Sequence, residues 1–219
     1  MKQLLACFLL LLLSVPALAE DNIPLFKDYY YGMPKAEVQK KSHAVDCKHE
    51  NLIGDLCVKK LVTFGKQKWE QVFMIEDGKL VSVMLAKSLD AQSLMAAIQT
   101  VAANDYALLN MSTGSKQLDV IHIARQQGSK AIPTAVVNFE NESQNAPELI
   151  YAFYEATKSH PIVKDKSITS FADFAMTAPR DLRSVEVKRT GDILGIQFLA
   201  PFAALQDMQK KASEAKESF

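Results

Sequence analysis

The sequence has no excess of charge and few cysteines, and both shortages exclude classes of function. Its 25 Lys and Arg residues balance its 25 Asp and Glu residues, so no net field steers nucleic acid toward it. It has three cysteines, and no two of them form the C-x-x-C motif of a thiol oxidoreductase. The H-E-x-x-H, G-x-S-x-G, P-loop and dinucleotide-binding motifs are also missing. We therefore expect no nucleic-acid partner, no cofactor and none of these catalytic machineries.

A long apolar run is present at the N-terminus. The segment MKQLLACFLLLLLSVPALA has a single Lys, a continuous apolar stretch and small residues at Ala17 and Ala19. These are the three zones of a secretory signal peptide, and the stretch is too short to span a bilayer comfortably. We predict that residues 1–19 are removed near Ala19, which leaves a periplasmic or secreted chain with no integral membrane span. Cys7 precedes the main apolar stretch and is interpreted as part of the signal peptide, not as a lipidation site.

Cys47 and Cys57 remain after cleavage, and an even number of cysteines in an exported chain indicates a disulfide. One alternative is a free or redox-active cysteine pair. Another is a metal site, because His43 and His49 flank Cys47 and could supply nitrogen ligands beside the two sulfurs. The spacing H-x3-C-x-H-x7-C matches no usual structural zinc pattern. We therefore favour the disulfide and expect no metal.

The first half of the mature chain has the pattern of a short helix followed by hairpins. Residues 34–41 are predicted as the helix, and Asp77-Gly78 is a strong turn signal between two β-rich runs. On the middle strand, Trp69 and Phe73 share one face with Gln71, while Glu70, Val72 and Met74 share the other. Because both faces are partly apolar, we expect the sheet to be covered by helices, and the apolar stripe of 88–103 offers the first one.

The complete pattern predicts an α+β fold with antiparallel sheets built from hairpins and with helices packed on one face. We expect one domain over 20–219, with two subdomains at 20–87 and 88–219 as the alternative. The C-terminal helix should dock through Phe202, Leu205 and Met208. The other predicted elements are strands within 57–65, 68–76, 80–86, 106–112 and 133–140, a helix within 116–128, a loop over 160–179 with a short helix after Ser170, and a hairpin over 183–199. The segment 145–157 has the signals of both a helix and a strand, and we favour the helix.

Two short motifs carry a family resemblance. They are the run Tyr31-Gly32-Met33-Pro34-Lys35-Ala36-Glu37-Val38 and, after a strand with Trp69, the turn Asp77-Gly78-Lys79-Leu80. Residues 29–86 thereby resemble small bacterial envelope proteins of the outer-membrane assembly lipoprotein type. The resemblance implies a fold like that of the β-lactamase inhibitor protein, with small helices on an antiparallel sheet, and a role in binding or assembly.

The leading functional hypothesis is a non-enzymatic envelope protein. It would bind another envelope protein or an envelope component through its sheet face or through the aromatic cluster Tyr29, Tyr30 and Tyr31.

Two other hypotheses remain open. The chain could be a secreted inhibitor of a hydrolase that presents Leu52 and Ile53 on the closed loop 47–57, because a preorganised loop loses little entropy on binding. It could also be a hydrolytic enzyme that uses His122 or His160 with a carboxylate. A lone histidine without a recognisable nucleophile is more often structural, so we favour a protein that is not an enzyme.

Overall fold

The computed structural model describes residues 22–47 and 54–217. The α-helices in these ranges are Lys35–Ser42 (α1), Ala91–Ala103 (α2), Val120–Gln127 (α3), Ile132–Glu142 (α4), Ala156–Lys164 (α5), Phe171–Thr177 (α6) and Pro201–Glu217 (α7). The strands are Pro24–Phe26 (β1), Tyr29–Tyr30 (β2), Val45–Asp46 (β3), Leu56–Phe64 (β4), Gln67–Glu76 (β5), Lys79–Ser88 (β6), Tyr106–Ser112 (β7), Gln117–Asp119 (β8), Glu148–Glu155 (β9), Ser184–Thr190 (β10) and Ile193–Leu199 (β11). These elements confirm the α+β class.

Nine of these strands form one antiparallel sheet in the order β3-β4-β5-β6-β11-β10-β9-β7-β8, and β1 and β2 form a separate small hairpin. The pairing of β6 with β11 joins the strands of 20–87 to those of 88–219. The two subdomains considered from the sequence therefore share one sheet.

The turn between β5 and β6 confirms the hairpin signal at Asp77-Gly78. Asp77 and Gly78 have φ angles of 50° and 74°, both in the left-handed region. A two-residue turn with positive φ at both positions matches the twist of the flanking strands, and glycine adopts this conformation without a steric penalty.

One face of the sheet, called the first face, carries the main hydrophobic core. Because side chains alternate along a strand, residues paired across strands lie on the same face. Val38 of α1, Val101 of α2 and Phe139 of α4 pack on this face. Its large buried side chains include Trp69, Phe73, Leu85, Tyr151, Val187 and Ile196.

A second hydrophobic cluster lies on the opposite face, over β7 and β9. Ala152 and Tyr154 of β9 meet Ile121 of α3, Phe174 of α6 and Phe202 of α7 there. Helices were expected on one face, and the structure has them on both. The physical reason is that β9 is apolar on both faces, so each of its faces requires a cover.

Two elements differ in type from the sequence prediction. Residues 133–140, predicted as a strand, belong to helix α4. Pro133 lies in the first turn of this helix, where a backbone N–H would have no acceptor within the helix, so the N–H that proline lacks is not missed. Residues 145–157, for which a helix was favoured, contain strand β9. This strand lies between β10 and β7 and is buried on both faces, so its apolar run has no alternation to mark it as a strand.

The segment 160–179 is more ordered than the predicted loop. The short helix after Ser170 is confirmed as α6, and α5 was not predicted. The Arg125 guanidinium of α3 donates hydrogen bonds to the carbonyls of Val163, Asp165 and Ile168 at 2.6, 2.6 and 2.9 Å. These contacts hold the connection between α5 and α6 against α3, and no local sequence pattern reveals them.

Candidate functional site

Over β5, β6, β11 and β10, the side chains on the opposite face of the sheet belong to neither hydrophobic cluster of the described residues. We call this region the open face and define it by the side chains that these four strands direct to that side. They include Glu70, Val72 and Met74 of β5, Met84 and Ala86 of β6, Gly195 and Gln197 of β11, and Glu186 and Lys188 of β10. Ser82, Leu199 and Ser184 lie on the same side, in the row of Met74.

Strand register places these residues in rows across the sheet. In one row Val72 lies opposite Met84, Met84 opposite Gln197, and Gln197 opposite Glu186. The next row contains, in order across the same strands, Glu70, Ala86, Gly195 and Lys188. Paired residues on one face have Cβ atoms roughly 5 Å apart, so the two rows form one continuous surface.

The open face is apolar at its centre without being part of a core. Val72 and Ala86 are buried, yet neither belongs to a hydrophobic cluster of the described residues. Met74 and Met84 are half-buried and keep part of their side chains accessible.

Raised structures border the open face on two sides. On one side, Cys57 lies opposite Val72 and is joined to Cys47 by a disulfide. The backbone of Gly54 rests on Val72, because a Cβ added at Gly54 would lie 2.0 Å from Val72 Cγ1. On the other side, the rings of Tyr154 and Phe174 lie 5.4 Å apart in the second cluster.

Gly195 and Ala86 pair on this face without large side chains, and both residues are buried. A Cβ added at Gly195 would lie 3.8 Å from Met84 Sδ and 3.9 Å from Lys188 Cβ, which are ordinary contact distances. The flexible thioethers of Met74 and Met84 can adapt to the shape of a ligand placed on this face.

The open face also carries polar and charged side chains. Lys188 Nζ forms an ion pair with Glu186 Oε2 at 2.8 Å, and Gln197 Nε2 donates to Ser82 Oγ at 2.8 Å. Glu70 is exposed and forms no ion pair with another described residue. An apolar centre with a polar margin is the composition of a binding surface.

The three tyrosines predicted as a binding cluster attach the N-terminal hairpin to the body of the protein. Tyr29 is buried, with its ring 4.7 Å from that of Phe73. Tyr31 donates a hydrogen bond to Asp207 Oδ2 at 3.1 Å, and burial raises the pKa of this tyrosine to about 12. Tyr30 keeps partial exposure and donates to Glu37. None of the three belongs to the open face.

The Cys47–Cys57 disulfide predicted from the sequence is present in the structure. Because both sulfur atoms are used in this bond, neither can act as a thiolate ligand in the alternative metal site with His43. His49 lies outside the described residues. No group of three or more metal-ligating side chains converges among the residues that the structure describes.

Leu52 and Ile53, on which the inhibitor hypothesis rests, lie outside the described residues, and that hypothesis stays a prediction. His122 and His160 are exposed on α3 and α5.

A serine–lysine contact is present at the start of α2 and was not predicted. Lys87 Nζ donates to Ser93 Oγ at 2.6 Å, and this hydroxyl donates to Asp90 Oδ2 at 2.5 Å. Asp90 also accepts from the Ser93 N–H as the helix N-cap, and the Ser93 hydrogen bonds hold the pKa of Asp90 below its usual value. Ser93 is buried, so a substrate cannot reach its hydroxyl, and we interpret the cluster as a helix cap.

Comparison of the sequence with protein-family models found no match, and comparisons with curated proteins and with solved structures found no significant similarity.

Proposed function

We propose that this protein is an exported, non-enzymatic binding module of the cell envelope and that it binds a partner protein on the open face. The observation that carries the proposal is the pair Met74 and Met84, which stay partly accessible beside the buried Val72 and Ala86 and belong to neither hydrophobic cluster of the described residues. Accessible methionines beside polar groups are common at protein interaction sites.

Export is supported by two independent features. The N-terminal segment has the zones of a signal peptide, with cleavage proposed near Ala19. The Cys47–Cys57 disulfide fits an oxidising compartment such as the periplasm or the extracellular space. No helix within the described ranges is long and apolar enough to cross a membrane.

A pair of glycine substitutions tests the binding role of the open face. Gly195→Leu places a branched side chain on the open face between Met84 and Lys188, where it would obstruct a ligand. Gly114→Leu is the matched control, because Gly114 is exposed and a Cβ there meets nothing within 4 Å. Neither glycine has a φ angle in the left-handed region, so neither substitution strains the backbone.

The measurement is cross-linking of the full-length protein in its native host with an amine-reactive reagent, followed by purification of the adducts. We expect the wild type and Gly114→Leu to yield the same adduct and Gly195→Leu to reduce it about tenfold, the effect of roughly 1.4 kcal/mol of lost binding. Equal adducts from both variants, or none from the wild type, would contradict the proposal. Matching melting temperatures would show that the variants remain folded.

A further inference from the structure

We infer that the Cys47–Cys57 disulfide is a redox-sensitive switch that keeps strand β3 on the edge of the sheet. Reduction of the bond by a dithiol releases β3 and leaves the rest of the sheet in place. This inference concerns the β3 edge and does not depend on the proposed binding role of the open face.

Strand β3 has few noncovalent contacts to hold it. It consists of Val45 and Asp46, which pair with Cys57 and Leu56 of β4. Both residues of β3 are exposed, so the strand buries little apolar surface. A few backbone hydrogen bonds at best offset the entropy that is lost when the backbone of these two residues is ordered. The strand therefore requires a further constraint to stay on the sheet.

The other noncovalent contacts around β3 add weak support. The Cys47 N–H donates to the Asp55 carbonyl at 3.1 Å. Lys35 Nζ lies 3.2 Å from Asp46 Oδ1, but the two side chains are 40% and 76% exposed, so water and salt screen this ion pair. On its N-terminal side the chain is anchored at the buried Ala44. The disulfide is therefore the strongest link between β3 and β4.

The disulfide lies where a reductant can reach it. Cys47 directly follows the edge strand β3, Cys57 belongs to β4, and both residues are half-buried. A thiolate of the dithiol attacks one sulfur and releases the other cysteine, and the second thiol of the reductant then displaces the attacked cysteine. The protein gains two electrons and two protons as a pair of thiols, and the dithiol becomes a disulfide.

The start of β4 has anchors of its own and should not move with β3. The Asp55 N–H donates to the Phe73 carbonyl at 3.1 Å, and Asp55 Oδ2 accepts from the Ile75 N–H at 2.7 Å. Leu56 is buried in the main hydrophobic core. Reduction should therefore expose the β4 backbone that faces β3, while Asp55 remains bonded to β5.

The test is amide hydrogen exchange of the full mature protein, followed by NMR of ¹⁵N-labelled samples with and without dithiothreitol. The N–H at position 47 reports on β3, and the Ile75 N–H reports on the anchored segment. We expect reduction to accelerate exchange at position 47 at least about tenfold and to change exchange at Ile75 less than about twofold. The double variant Cys47→Ser, Cys57→Ser should match the reduced protein without any reductant.

Lys35→Ala is the matched control, because it removes the ion pair to Asp46 and leaves the disulfide intact. The Cys47 N–H should keep its slow exchange in this variant. If Lys35→Ala accelerates that exchange as much as reduction does, the ion pair holds β3 and the inference is wrong. Equal exchange at position 47 in the oxidised and reduced proteins would also overturn it, as would loss of protection at Ile75, because the change would then not be confined to β3.

Access of the reductant is measured separately by labelling thiols with iodoacetamide after treatment with dithiothreitol in native buffer. We expect both Cys47 and Cys57 to be labelled while the protein stays folded. Labelling that requires urea would show that a dithiol cannot reach the bond in the folded protein. That result would overturn the switch even if β3 is released in the double variant.

Discussion

At the scale of single residues, Gln71 is a polar side chain buried in an apolar environment. It lies on the first face between Trp69 and Phe73, is 4% exposed, and its Nε2 atom donates to no described residue. A buried donor without a partner destabilises a fold by about 1 to 3 kcal/mol. We predict that Gln71→Leu, which removes the donor at similar volume, raises the free energy of unfolding by about 1 kcal/mol in urea titrations.

The control for this prediction is Gln126→Leu. Gln126 is exposed on α3, and leucine and glutamine have similar helix propensities, so the change should stay within about 0.5 kcal/mol. A loss of stability in Gln71→Leu would show that the amide is bonded in solution and that the interpretation of Gln71 as an unpaired group is wrong.

At the scale of elements, the predictable parts were those with a local signal. In strands β5 and β6, which flank an Asp-Gly turn, successive side chains point to opposite faces of the sheet. The sequence alone therefore places Trp69 and Val72 on different faces. Strand β9 has no alternation because both of its faces are buried. The open face could not be predicted, because the pairing of β6 with β11 brings Gly195 beside Ala86 from 109 positions away (195 minus 86), and nothing local encodes such a pairing.

The C-terminal helix offers a prediction at the same scale. The sequence predicted that this helix docks through Phe202, Leu205 and Met208. Phe202 is buried as expected, but Leu205 and Met208 are 45% and 54% exposed. The Phe202 ring lies 6.2 Å from that of Tyr154 in the second cluster. We predict that Phe202→Ala lowers the free energy of unfolding by about 3 kcal/mol, because it leaves a cavity among aromatic rings, and that Leu205→Ala lowers it by less than about 1 kcal/mol. Urea unfolding of both variants checks this, and equal losses would place Leu205 in the core.

At the scale of the whole molecule, the disulfide and the hydrophobic clusters stabilise the fold in separate ways. The bond closes a loop with a sequence separation of 10 between Cys47 and Cys57 at one edge of the sheet. The main core gathers side chains from strands across the sheet and includes neither cysteine. We therefore expect the protein to remain folded when the bond is reduced, and to lose about 3 kcal/mol of stability through the freedom that its unfolded chain gains.

The measurement compares urea unfolding of the oxidised protein, the reduced protein and the double variant Cys47→Ser, Cys57→Ser, with far-UV circular dichroism before denaturant is added. The reduced protein and the double variant should share one lowered midpoint and keep the spectrum of the oxidised protein, because both lack the same constraint while the clusters persist. Unfolding on reduction alone would mean that the edge formed by β3 and β4 is needed for the core to assemble. An unchanged midpoint would mean that the loop between the two cysteines is already constrained in the unfolded chain.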